Sequence, residues 1–139
     1  MAITLSTALP SPAHVDAQYQ SYEVGYVAQL VAGQVSTASD TSAYFALPYI
    51  TLGAKARLIL EITAITGSGA GLAVAFAESV DGTGYNSTSA LTIASQTATG
   101  TYWEAAVSGP LFNAGQVIST VVGTSPSITW NLYLAVWNK

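Results

Sequence analysis

The sequence predicts an all-β protein, an antiparallel β-sandwich or jelly roll of seven or eight strands behind an extended N-terminal arm. Short runs rich in Val, Ile, Tyr and Trp alternate with Gly, Pro, Asn and Asp roughly every 8–15 residues, the spacing of such folds. No segment longer than about two turns has a helical apolar period with caps. The 139 residues have the length of one domain and include no cysteine. We therefore divide the chain into an arm, 1–20, and a single β-sandwich domain, 21–139.

Residues 1–20 predict an arm because they carry little hydrophobic pattern. Pro10 and Pro12 each fix a φ angle and remove an amide donor, which favours extended backbone in the residues before them. We expect this segment to reach a neighbouring subunit, and the alternative is a frayed terminus. The contact residues predicted in the arm and just after it are Leu9, Pro10, Pro12, His14, Tyr19 and Tyr22.

Residues 55–65 and 72–79 predict two strands with different outer faces. Apolar residues alternate from Ala56 to Ala64, and Lys55, Arg57 and Glu61 fall on the other face, which we expect to face water. Three glycines in residues 67–71 predict a turn between the strands, because glycine accepts positive φ. The second strand places three alanines on one small, flat face that suits close approach of another subunit: Ala73, Ala75 and Ala77.

Residues 127–137 predict a central strand. Ile128, Trp130, Leu132, Leu134 and Val136 share one face, and the opposite face carries Tyr133 and Trp137. The Gly-Thr-Ser-Pro sequence at residues 123–126 predicts a turn before it. We expect the face with Tyr133 and Trp137 to be a second contact surface, because Tyr and Trp are enriched in interfaces.

Charge is scarce throughout the chain. Asp, Glu, Lys and Arg make up 7% of the residues, against about 25% in soluble domains. Mean hydropathy is +0.43. A surface with little charge lacks repulsion between copies, so we interpret it as surface that other subunits cover. The alternative is a neutral secreted β-domain with a Ser/Thr surface.

The few basic residues exclude two classes of partner. Net charge is −4, and the chain has three basic side chains, Lys55, Arg57 and Lys139. Nucleic acids and anionic membranes are recognised by clustered Lys and Arg, so we expect neither as a partner. The first residues lack the basic and apolar regions of a signal peptide, and no apolar run approaches the ~18 residues of a membrane-spanning helix.

The chain has too few candidate catalytic residues for an enzyme, so we expect neither enzymatic activity nor a cofactor. The chain has one histidine, His14, and a Ser-His-Asp triad would have to recruit it from the arm. Glu78 and Asp81 form a weak Ca²⁺ candidate, since carboxylates are the oxygen ligands that Ca²⁺ takes. We favour the simpler interpretation that Asp81 and the following glycine form a turn, and we predict no metal site.

Two stretches resemble small virion proteins of tailed bacteriophages. The first is Leu72-Ala-Val-Ala-Phe-Ala-Glu-Ser-Val-Asp-Gly-Thr-Gly-Tyr85, an apolar strand followed by Glu-Ser, an Asp-Gly-Thr turn and an aromatic residue. The second is Val122-Gly-Thr-Ser-Pro-Ser-Ile-Thr-Trp-Asn-Leu-Tyr-Leu134, which resembles their closing strands. The resemblance covers about residues 55–137.

The resemblance implies a capsid decoration, or cement, protein. Such a protein would bind major capsid protein subunits and its own copies, as a homotrimer or homodimer. It would be found on the capsid surface of the virion after assembly in the host cytoplasm, where a chain without cysteine is at no disadvantage.

Two other functions stay open. A carbohydrate-binding module would use a row of exposed aromatic residues, drawn from Tyr22, Tyr26, Tyr44, Tyr49, Tyr85, Tyr102, Trp103, Tyr133 and Trp137. A small outer-membrane β-barrel would also combine about eight strands with low charge. The expected lack of a signal peptide and the short glycine turns argue against the barrel.

Overall fold

The computed structural model describes residues 3–5, 25–46, 55–79, 88–103 and 114–137. Across these ranges the protein has an antiparallel sheet of seven strands and no helix, so the predicted all-β class is confirmed. None of the described segments is a helix that could cross a membrane. The strands are β1 (Gly25–Ser36), β2 (Asp40–Thr41), β3 (Phe45–Ala46), β4 (Lys55–Ser79), β5 (Thr88–Gln96), β6 (Gly100–Trp103) and β7 (Ala114–Trp137).

The two long strands β4 and β7 form the centre of the sheet. They pair from Lys55 opposite Trp137 to Ser79 opposite Ala114. In the first half of the sheet, β4 residues 55–62 pair with β7 residues 130–137, and β1 and β6 flank them. In the second half, residues 71–79 pair with residues 114–122, and β2, β3 and β5 flank them. Every other described strand therefore pairs with β4 or β7.

The turns predicted at residues 67–71 and 123–126 are wrong, because these residues are part of the continuous strands β4 and β7. The two segments lie opposite each other, with Ser68 paired with Thr124. The register shifts three times along β4 here, between residues 62 and 71. Glycines are compatible with a bulge as well as with a turn. The pairing of β4 with β7 keeps these residues within the strands.

Two glycines in the segment between the halves have backbone conformations that favour glycine. Gly67 has a φ of 109° and Gly123 one of 113°. A Cβ at Gly67 would lie 2.8 Å from the Pro126 Cα, and one at Gly123 would lie 2.7 Å from the Ala70 Cα. Each glycine therefore makes room for the backbone of the opposite strand.

The core is a single cluster of buried apolar side chains from both halves. The predicted alternation is confirmed over residues 55–62 and 128–134. Ala64 is exposed because the register shifts between Ile62 and Ala64, and Ala135, predicted on the outer face, is buried. The fully buried large side chains include Leu58, Leu60, Ile62, Leu72, Phe76, Leu91, Ile128, Trp130, Leu132 and Leu134. Phe45 packs edge-on against Phe76 with ring centroids 5.8 Å apart.

Residues 3–5 contact the body of the domain. Ile3 bridges to Ser42 and Leu5 to Val31, and Ile3 belongs to the core cluster with 4% of its surface exposed. The Thr4 N–H donates to Gln34 Oε1 at 3.2 Å. Residues 6–20 lie outside the described part of the chain, so the arm stays a prediction over that segment.

Three serines at the end of β1 and just after it accept hydrogen bonds from β7. The Ser39 hydroxyl accepts from the Val121 N–H at 2.8 Å, and the Ser42 hydroxyl accepts from the Val117 N–H at 2.9 Å. The Ser36 hydroxyl accepts from the Trp130 indole at 2.9 Å. Since each hydroxyl accepts from a donor on β7, these serines are structural.

Candidate functional site: two outer faces of the sheet

Each half of the sheet has an outer face opposite the core, because side chains alternate along a strand. The tryptophan face, on the first half, consists of Val27, Gln29, Arg57, Ile59, Glu61, Trp103, Asn131 and Tyr133. The alanine face, on the second half, consists of Thr41, Ala73, Ala75, Ala77, Thr92, Gln116, Ile118 and Thr120.

The alanine face is built around β4. Thr92, Ala75, Ile118 and Thr41 stand side by side on four neighbouring strands. Ala73 and Ala75 are half-buried, and Ala77 is buried. The three predicted alanines thus share one face, which has small side chains at its centre and carries no charged side chain. Their role as contact residues remains a prediction.

The tryptophan face is built around a row that crosses four strands. Trp103 on β6, Ile59 on β4, Tyr133 on β7 and Gln29 on β1 are paired in register. Trp103 is 57% exposed, whereas Ile59 and Tyr133 are half-buried. The row therefore presents an exposed indole at one end and a partly covered phenol near the other.

Arg57 contacts Trp103 on this face. The guanidinium carbon lies 5.8 Å from the centroid of the indole ring, within the range of a cation–π interaction. The Arg57 Nε is buried and has no hydrogen-bond partner within the described part of the protein. An unmet buried N–H is costly, so this atom is a local cost of placing Arg57 beside Trp103.

Asn131 holds the polar part of the tryptophan face in place. Its Nδ2 donates to Glu61 Oε2 at 3.0 Å, and its Oδ1 accepts from the Gly33 N–H at 2.7 Å. Gln29 Nε2 adds a longer bond to Oδ1 at 3.5 Å. These bonds tie β1, β7 and β4 together and fix the direction of the Glu61 carboxylate.

Several predicted site residues lie outside the described residues. They are Leu9, Pro10, Pro12, His14, Tyr19, Tyr22 and Asp81. Trp137 pairs with Lys55 and Gly25 at the end of β7, and its side chain is not described. Glu78 is half-buried, and strand alternation puts it on the side of β4 opposite the alanine face.

The described side chains offer little for catalysis or metal binding. Among them, no group of three or more His, Cys, Asp and Glu residues is close enough to hold a metal ion. A cleft of about 360 Å³ beside β1 is lined in part by Thr4, Gln34, Ser36 and Asp40. Asp40 is the one titratable group among its described lining residues, and general acid–base catalysis needs a second.

Sequence analysis missed the pairing of Arg57 with Trp103. Arg57 was assigned to a surface made for water, and Trp103 was one member of a long set of aromatic residues. The two residues are 46 positions apart in the sequence and meet because β6 pairs with β4. A tryptophan at the end of a short strand was the available signal, but its neighbour across the sheet could not be inferred locally.

No protein-family model, curated protein or solved structure matches the chain. The class that the structure defines is therefore an all-β antiparallel protein with two outer faces of different character. A function for it has to be argued from those faces.

Proposed function

We propose that this protein is a non-enzymatic structural subunit of a larger assembly, and in particular a decoration protein on the capsid of a tailed bacteriophage. Its partners would be major capsid protein subunits and further copies of itself on the virion surface. The observation that carries the proposal is the alanine face, a flat strand surface without charge in a chain with 7% charged residues. The resemblance of residues 72–85 and 122–134 to virion proteins supports the capsid as the partner.

The alanine face suits tight protein contact on physical grounds. Alanine loses no rotamer freedom when it is covered, so little entropy opposes the contact. A face without charge avoids the cost of removing ions from water. Each Å² of apolar surface covered contributes roughly 25 cal/mol before the costs of association are subtracted. Many copies bound next to each other on a shell would add avidity to a modest single contact.

We also propose that the two halves of the sheet fold against each other as a β-sandwich of the jelly-roll kind. The support is the core cluster, in which Leu58 and Trp130 of the first half and Phe76 and Val117 of the second half belong to one buried group. The register shifts in β4 and the positive φ angles of Gly67 and Gly123 lie where such folding requires a change of direction. A crystal structure with the halves side by side in one extended sheet would contradict the sandwich.

The experiment that tests the capsid role places a charge at the centre of the alanine face. Ala75→Lys is expected to reduce occupancy on purified phage heads by at least tenfold in co-sedimentation, because the ammonium would be buried without a partner. Ala98→Lys, in the exposed turn between β5 and β6, is the matched control and should bind like the wild type. Circular dichroism checks that both variants are folded. Equal occupancy of the two variants, or no binding of the wild type to any head, would refute the proposal.

A carbohydrate-binding role is the second candidate, and the tryptophan face favours it. Trp103 is exposed, and Tyr133, Asn131 and Glu61 provide a phenol, an amide and a carboxylate on the same surface. An indole that can stack on a sugar beside hydrogen-bonding groups is the usual chemistry of such sites. Binding on a glycan array that Trp103→Ala abolishes would support this role. Silence of the array, with no shift of the melting temperature on adding Ca²⁺, would exclude it.

A further inference from the structure

We infer that the tryptophan face binds the same face of a second copy of this chain, related by a twofold axis along the row Trp103–Ile59–Tyr133. The inference rests on the proposed structural role, because it names the surface through which copies contact each other. It explains two features of the face together: the order of its charges and the exposure of Trp103.

The order of charges on β4 selects the axis. Arg57 and Glu61 have opposite charge and lie two residues before and two residues after Ile59, each roughly 6.6 Å from it along the strand. A twofold axis that crosses the strands at Ile59 reverses their direction in the second copy. It therefore places Arg57 of each copy over Glu61 of the other, which forms two ion pairs. An axis parallel to the strands would stack Arg57 on Arg57, and like charges oppose contact.

The contacts of the two residues fit this pairing. The Arg57 guanidinium lies over the exposed indole of Trp103, with its carbon 5.8 Å from the ring centroid. Glu61 gives Oε2 to Asn131, and its Oε1 takes part in no hydrogen bond between described residues. Since the Asn131–Gly33 bond holds this arrangement, the second carboxylate oxygen of Glu61 is already oriented before a partner arrives. A guanidinium and a carboxylate form the stronger, charge-assisted kind of hydrogen bond.

The same axis brings the aromatic residues together in self-pairs. Trp103 of one copy meets Trp103 of the other, and Tyr133 meets Tyr133, because these residues lie on the axis row. Twofold contacts are made by one patch on both partners, and aromatic residues with an arginine are typical of their centres. Contact would cover the indole, the most solvent-exposed large aromatic side chain in the described ranges.

The size of the face predicts how tight the dimer is. Four strands spaced about 4.8 Å apart and roughly 20 Å of strand length give about 400 Å² per copy, or about 800 Å² in total. Stable interfaces cover about 1,200–2,000 Å², so this dimer should be weak, with a dissociation constant of roughly micromolar or above. The experiment therefore has to span protein concentrations from about 1 µM to 1 mM.

Charge reversal tests the inference through the pairing of two variants. Arg57→Glu leaves two carboxylates on the face, and Glu61→Arg leaves two guanidinium groups, so neither variant should dimerise with itself. An equimolar mixture should dimerise at least as tightly as the wild type, because each ion pair then joins opposite charges. The double variant Arg57→Glu/Glu61→Arg should recover self-association. Sedimentation equilibrium at low salt gives the masses, and recovery in the mixture shows that both single variants are folded.

Three results would overturn the inference. The first is that the wild type is still a monomer at about 1 mM. The second is that Arg57→Glu or Glu61→Arg alone dimerises as tightly as the wild type and the control Ala98→Glu. The third is loss of dimerisation by Ala75→Lys but not by Arg57→Glu, which would move the contact to the alanine face. The head-binding assay separates this inference from the proposed function. If the wild type is a monomer in solution but binds heads, only the dimer is contradicted. If the wild type is a dimer but binds no head, only the capsid role is contradicted.

Discussion

The indole Nε1 of Trp130 donates a hydrogen bond of 2.9 Å to the hydroxyl of Ser36, inside the core of the first half of the sheet. Trp130 is fully buried, and Ser36 is 5% exposed. A buried indole N–H needs an acceptor, because water is no longer available to it. Ser36 thus makes it possible for the largest side chain of the core to lie on an otherwise apolar face of β7.

Ser36→Ala tests this relationship. We expect it to lower the free energy of unfolding by about 1–3 kcal/mol, since it leaves a buried donor without a partner. Ser39→Ala is the control, because the Ser39 hydroxyl also bonds β7 but is exposed and water can replace it. Urea unfolding followed by circular dichroism measures both. An equal loss for the two variants would show that burial of the indole is not what makes Ser36 important.

Gly123→Ala tests the close approach of β7 to β4 between the two halves. The substitution combines a φ of 113° with a Cβ that would lie 2.7 Å from the Ala70 Cα. Backbone strain of about 1–3 kcal/mol and overpacking of about 1–3 kcal/mol should together cost about 2–6 kcal/mol. Gly33→Ala is the control, because Gly33 has a φ of 59° with nothing within 4 Å of the added Cβ. Gly33→Ala should lower the free energy of unfolding by only about 1–2 kcal/mol. Equal losses of thermal stability in the two variants would contradict the close contact of Gly123 with Ala70.

Ile3→Ala tests whether the first residues belong to the body of the domain. Ile3 is in the core cluster, so its truncation should cost about 2–5 kcal/mol in guanidinium unfolding. Leu5→Ala should cost less, because Leu5 is only partly buried against the cluster. A loss below about 0.5 kcal/mol for Ile3→Ala, the size of a surface substitution, would mean that residues 3–5 are not docked in solution. Truncations that probe the arm should therefore spare these residues.

Asp40 contributes to the loss of folding stability at acid pH. The Thr41 N–H donates to Asp40 Oδ1 at 2.8 Å, and this bond to the charged form lowers the pKa of Asp40 below its ordinary 3.8. A carboxyl with a lowered folded pKa adds stability that is fully present above pH 3.8 and is lost as the pH falls through the folded value. Asp40→Asn should therefore flatten the fall of the melting temperature between about pH 5 and 2. A carboxyl carbon of Asp40 that titrates by NMR at or above 3.8 would disprove the effect.

The sequence supported accurate prediction where a pattern is local. The alternation over residues 55–62 and 128–134 was sufficient to assign every buried position there, because successive side chains on a strand point to opposite faces. Ala135 is buried although the alternation put it on the outer face. The common face of Ala73, Ala75 and Ala77 follows from the same rule. The turns at 67–71 and 123–126 were wrong, since glycine marks turns and bulges alike and only the pairing of Ser68 with Thr124 tells them apart.

What the sequence determined by itself is the all-β class, the composition of the core and a surface nearly without charge. All three depend on the identity and alternation of neighbouring residues. The tertiary structure alone decided that Arg57 lies over Trp103, that Ser36 satisfies Trp130 and that Gly67 and Gly123 each lie against the backbone of the opposite strand. Ser36 and Trp130 are 94 positions apart, so their contact exists only once β1 and β7 have paired. Local pattern determines which face of a strand a side chain occupies, and strand pairing determines which side chain stands beside it.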